Sequence, residues 1–185
     1  ELAEGGADRI VLTGVPVSAA LGRERVLAMI AEAKQRAGVT LDTDLEAIAS
    51  AARHLGVRSV VLATRWHQPL NDAVARYLGE AGIEVAGQQA SGRTMAENAT
   101  LKAADGMRMA IELGRAALSA APSAGGLILP GGRWLSIHAI EALESEFGKP
   151  VFLNLNSSLW AALRAAGKGL PVQGQGMLLA SPTSK

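Results

Sequence analysis

Residues 125–134, GGLILPGGRW, form an apolar run that stops at a proline and two glycines. Parallel α/β proteins gather their chemistry beyond the carboxyl ends of the strands, so the end of this run is a place to look for a ligand. Gly131 and Gly132, with Arg133 behind them, could turn free backbone N–H groups toward a carboxylate. Pro130 brings neither an N–H nor a proton. A second run, RIVLTG, closes on Gly14, followed by Val15 and Pro16. A third, RSVVLAT, ends on Thr64, with Trp66, His67 and Asn71 just beyond. Thr64 and Asn71 offer polar groups, and Trp66 offers one N–H donor or an aromatic wall. Histidine side chains exchange protons near neutrality, which makes His67 either the acid–base candidate or an exposed helix-capping residue. Asp42 and Asn154 close equivalent strands and could reach the same cleft. His54, at a helix end, and His138, beside apolar neighbours, read as capping or packing residues.

Other chemistries are disfavoured by what accompanies these residues. With no cysteine, disulfides, thiolate metal sites and cysteine catalysis are excluded. Three dispersed histidines without clustered carboxylates make no metal site. The glycines do not fall in a dinucleotide fingerprint, and no Walker-type lysine follows them, so nucleotide binding is not expected. A net charge of +1 with interspersed signs carries no footprint for nucleic acid or an anionic membrane. No apolar run approaches the roughly 20 residues of a membrane helix, and the start lacks a signal-peptide layout. A cytoplasmic location is expected by default.

At 185 residues and 49% hydrophobic content, the chain can fill one sizeable core or two small pseudo-domains. Short β-rich runs alternate with stretches of helical periodicity, the pattern of a parallel sheet covered by helices. Strands are expected at 9–13, 39–42, 58–64, 83–86, 127–129 and 151–155. Helices are expected at 19–37, 44–55, 69–81, 106–121, 137–147 and 157–166. The polar, alanine-rich segment 87–105 reads as a loop with a short helix inside, overhanging the site. The opening ELAEGGAD resembles the last turn of a helix with its glycine stop, so the chain is expected to lack a preceding strand and helix.

Two stretches repeat. The sequence from Arg9 to Gly56 matches that from Gly126 to Gly167: a strand ending in a Gly/Pro cluster, a helix, a glycine, a strand closing on Asp or Asn, then an alanine-rich helix. In this register Gly14 falls opposite Pro130. The fold expected is α/β, with two pseudosymmetric parallel-sheet halves, helices on both faces and the site in the cleft between them. Residues 1–56 and 150–185 are assigned to the first half and 57–149 to the second.

The stretches AARHLGVRSVVLATRWHQPLNDAVARYLGEAGIEV, GLILPGGRWLSIHAIEALESEFGKPV and NSSLWAALRAAG carry a resemblance. They are similar to the aspartate/glutamate racemase superfamily, nearest its arylmalonate decarboxylase and maleate isomerase branch. The resemblance implies chemistry on the carbon next to a carboxylate of a small acid, without cofactor. It also implies that cysteines stand where this chain has Gly14 and Pro130. The decarboxylase branch keeps a glycine at the first of these positions but a proton-donating cysteine at the second. Its hydroxyl donors after the glycine are replaced here by Val15 and Pro16. The resemblance assigns substrate contacts to Val15, Thr64, Trp66, Asn71, Gly131 and Gly132. Two functions stay open: a decarboxylase-like or isomerase-like enzyme with a replaced proton donor, and an inactive carboxylate-binding relative. A small carboxylate is the expected partner, and a homo-oligomer is left open.

Overall fold

The computed structural model describes residues 2–168 and 171–182. Its strands are β1 (Arg9–Leu12), β2 (Thr40–Thr43), β3 (Ser59–Thr64), β4 (Glu84–Ala90), β5 (Gly126–Ile128) and β6 (Val151–Phe152). Its helices are α1 (Val15–Leu21), α2 (Arg23–Ala37), α3 (Asp44–His54), α4 (Gln68–Glu80), α5 (Met95–Ala99), α6 (Ala103–Ala120), α7 (Ile140–Phe147), α8 (Asn154–Ala165) and α9 (Gly176–Ala180). β1 and β2 pair in parallel, and a second parallel sheet has the order β4-β3-β5-β6.

The central strand shows why helices cover both faces. Successive side chains of β3 point to opposite sides of the sheet. Val60 and Leu62 pack with Leu45 and Ile48 of α3 and with Val74 and Leu78 of α4. Val61 and Ala63 join Ala110 and Leu118 of α6, Trp134, and Leu143 of α7 on the other face. Each fully buried aliphatic side chain stabilises this arrangement by about 1.5–3 kcal/mol. The expected α/β fold with parallel sheets and two helical layers is what the chain adopts.

Departures from the expected boundaries have local causes. The helix expected at 19–37 begins earlier, at Val15, and is split by Gly22, whose φ of 77° takes the chain out of the helical region. Two 3₁₀ turns, Gly132–Trp134 and Ser136–Ala139, precede α7, the second taking the first residues of the helix expected at 137–147. β4 runs on to Ala90, and α5 is the short helix foreseen inside 87–105. β6 is cut short because Asn156 accepts the Leu153 N–H and donates to the Val151 carbonyl, which turns the chain into α8. The glycine stop in ELAEGGAD is formed: Gly6 and Ala7 donate to the carbonyls of Ala3 and Leu2, closing a Schellman turn.

The C-terminal helix α9 was not foreseen. It is held by Glu144, a buried carboxylate of α7 that accepts the N–H groups of Met177 (2.7 Å) and Val151 (2.8 Å). Burial pushes this carboxyl above the usual range, against the pull of those two donors. The division of the chain at 150 does not coincide with the division of the sheets. β6 pairs with β5, whereas α8, which follows it, packs against α3. Residues 169–170 and 183–185 of the expected first half lie outside the described residues.

Candidate functional site at the strand ends

Gly14 and Gly131 adopt matching conformations at two strand ends. Each is the residue before the first turn that follows a strand, and each has a φ that side chains rarely adopt, 119° and 109°. Each also donates its N–H to the first residue of a later helix: Gly14 to Asp44 Oδ2 at 2.7 Å, and Gly131 to Asn154 Oδ1 at 2.9 Å. The amide of Asn154 then donates to Asp44 Oδ2 at 3.3 Å. One chain of hydrogen bonds therefore runs from Gly14 through Asp44 and Asn154 to Gly131, bringing both strand ends to one place. Ser158 of α8 completes the shell by donating to Asp44 Oδ1 at 3.0 Å.

Gly14 shares its conformation and bonding with Gly131, the residue that follows its repeat partner Pro130. The geometry also corrects two expectations. The N–H of Gly131 is engaged by Asn154, so it is not free for an anion. The acid in the cleft is Asp44, at the start of α3, whereas Asp42 is ion-paired with Arg9 within the β1–β2 sheet. The cause is that β2 runs one residue further than expected, to Thr43, so Asp42 lies inside the paired strand and Asp44 is the first residue beyond it.

At the end of β3, Thr64 donates its hydroxyl to Asn71 Oδ1 at 2.6 Å and accepts the Trp66 N–H at 3.1 Å. Asn71 returns a bond to the Trp66 carbonyl at 3.4 Å. Thr64 and Asn71 are both fully buried, so the structure places them as the brace of the β3–α4 turn. Val15 and Trp66 pack into the core beneath the cleft. His67 is exposed at the start of α4, where its carbonyl accepts from Leu70 and Asn71 and its side chain makes no capping bond. His138 is exposed in the second 3₁₀ turn rather than packed. His54 does pack, against Trp160 of α8 and Ser181. Pro130 is buried, while Gly132 is exposed and faces open space.

Two groups not singled out in the sequence converge on Gly131. Where a Cβ on Gly131 would stand, Trp134 Nε1 lies 3.4 Å away, Arg65 Nε 3.6 Å and Trp66 Cζ2 3.7 Å. Arg65 is 7% exposed and Trp134 is fully buried, and the Trp134 indole N–H has no hydrogen-bond partner among the described residues. α5 packs over this corner, because Asn98 donates its amide to the Arg65 carbonyl at 3.3 Å. Four surface cavities of about 190–460 Å³ are lined by other residues. The sequence signal for Arg65 was a charged residue directly after a buried strand, in ATRWH, where the aromatic beside it drew attention instead.

The cleft is thus polarised. An anion, Asp44, braces the Gly14 end, and a guanidinium with an indole donor sits at the Gly131 end. Parallel sheets in two halves that meet at paired strand ends define an α/β protein of the Asp/Glu racemase-like class. The comparisons narrow this further, for the chain belongs to the arylmalonate decarboxylase family, whose pattern matches residues 1–179. It is 30% identical over 164 residues to arylmalonate decarboxylase of Bordetella bronchiseptica, covering 89% of this chain and 67% of that one. A glycine-to-cysteine mutant of arylmalonate decarboxylase in its sulfate ion associated form superposes with a TM-score of 0.86 at 29% identity, covering 97% of this chain and 76% of that one. Maleate cis-trans isomerase of Nocardia farcinica, bound to TRIS, shares the fold at a TM-score of 0.78 and 22% identity, over 96% of this chain and 73% of that one.

Proposed function

We propose that this chain binds a small carboxylic acid at the paired strand ends and lacks the cysteine-dependent proton transfer implied by its resemblance. The observation that carries this reading is Pro130. It stands buried between β5 and Gly131, at the position where the resemblance calls for a proton-donating cysteine. A planar enediolate left by decarboxylation or deprotonation must receive a proton from a donor about 2.6–3.2 Å away. Proline has none to give, and Val15 and Pro16 supply no hydroxyl for the developing oxyanion. Binding is better provided for, by the cationic and N–H donors at the Gly131 end. A relative with sulfate associated supports anion binding in this fold.

A second reading retains catalysis with a proton taken from elsewhere. His67 is the side chain for that role closest in sequence to the β3 end, although its exposure on α4 favours the first reading. The test is titration with phenylacetate and phenylmalonate by calorimetry. Saturable binding of at least one acid is expected. Failure of both to bind at millimolar concentration would contradict the reading.

A further inference from the structure

We infer that Arg65 is the carboxylate-binding residue of this cleft, with the indole N–H of Trp134 as its second donor; this rests on the carboxylate-binding reading above and specifies it. Both side chains come within 3.4–3.6 Å of one point, the missing Cβ of Gly131. Trp134 is fully buried, yet its N–H meets no acceptor among the described residues. A buried indole N–H usually finds a partner, and an acceptor from a ligand would supply it. The guanidinium is the group whose planar fork matches a carboxylate, and in a site shielded from water that pairing is stronger than at the surface. The φ of 109° at this position favours glycine, and a side chain here would lie against both donors. Gly132 beside it is exposed, and a Cβ there would meet nothing within 4 Å.

The opposite end fixes orientation. Asp44, engaged by Gly14, Asn154 and Ser158, places a carboxylate at the Gly14 end. A monocarboxylate therefore seats its carboxylate on Arg65 and turns its remaining atoms toward Gly14. The cleft departs from a site built on hydroxyl donors: one permanent cation takes over the work that the residues at 15 and 16 no longer do.

The test is NMR of the whole chain labelled with ¹⁵N, titrated with phenylacetate. The Arg65 Nε and Trp134 Nε1 resonances, the latter assigned by its loss in Trp134→Phe, should shift together and saturate with one dissociation constant. Arg65→Met should weaken binding ten- to a hundred-fold, Arg65→Lys by less, and Trp134→Phe a few-fold. If phenylacetate binds while both resonances stay still, or if a folded Arg65→Met binds as tightly as the parent, the assignment of Arg65 is overturned and carboxylate binding itself stands. If no carboxylate binds the parent, the broader reading fails and this one with it. Should Arg65→Met not fold, the resonances of the parent decide the matter alone.

Discussion

Asp44 is a buried carboxylate that collects donors from three separate segments: the Gly14 backbone, the Asn154 amide and the Ser158 hydroxyl. Its place at the start of α3 adds the favourable end of the helix dipole. Replacing it by alanine would leave three donors without their acceptor at a site closed to water. Leaving buried donors unmade costs about 1–3 kcal/mol each, with partial relief from rearrangement, so Asp44→Ala should lower stability by about 3 kcal/mol in urea unfolding. Asp44→Asn, which keeps the shape and one acceptor, should cost less. A loss below about 1 kcal/mol for Asp44→Ala would show that the bridge between the strand ends is incidental. At this scale the sequence was only partly informative. It marked Gly14, Pro130, Gly131 and Trp66 as strand-end residues, because glycine, proline and aromatic punctuation is local. It took Asp42 as the residue that closes the second strand, because strand boundaries are settled by pairing with β1 rather than by the strand's own residues, and β2 runs on to Thr43.

Among the elements, those with strong periodicity and clear stops were legible, α3, α4 and α6 to within a few residues at either end. The elements that were misjudged are those fixed by long-range contacts. α9 is a five-residue helix whose start is held by Glu144, 33 residues earlier in the chain, and nothing in GMLLA itself announces it. The two 3₁₀ turns before α7 arise because the chain must drop from β5 past α6. Leu135 is pushed to a φ of 52° on the way. Gly106 of α6 packs directly on Trp134 there, and a Cβ at Gly106 would stand 2.9 Å from the Trp134 backbone. α6 thereby presses on the same residue that supplies the indole donor at the cleft. The brace of Thr64 and Asn71 shows the complementary case. The spacing of these residues was visible, but their role in locking the β3–α4 turn required knowing that both are fully buried.

For the molecule as a whole, the strand ends are joined at the cleft, and a second contact forms where α8 lies on α3. In that second contact, the ring of His54 lies 4.9 Å from that of Trp160, and its Nε2 is 3.0 Å from Ser181 Oγ. Burial, and then the nearby Arg164, hold His54 below the usual histidine range, so it is neutral in the folded protein near pH 7. The unfolded chain takes up the proton more readily than the folded one. His54 therefore contributes stability that is fully present above about pH 6.5 and is lost as pH falls toward its depressed folded value. The melting temperature should decline between pH 7 and pH 5, and His54→Gln should flatten that decline; equal slopes in the two proteins would remove His54 from the account. The same joining of strand ends explains how a repeat read in the sequence produces one site. The pseudosymmetric strand ends meet, yet one carries Asp44 and the other Arg65. The account turns most directly on Pro130, and the decisive measurement is decarboxylation of phenylmalonate in D₂O by the parent protein and by Pro130→Cys, with the product examined for deuterium and handedness. The account predicts no stereoselective product from the parent and weak, handed deuteration from Pro130→Cys; it further predicts a rise when Val15→Thr and Pro16→Ser are added, since each oxyanion donor is worth about 2.7–4 kcal/mol in the transition state. Robust, stereoselective turnover by the parent, unaffected by His67→Ala, would contradict it.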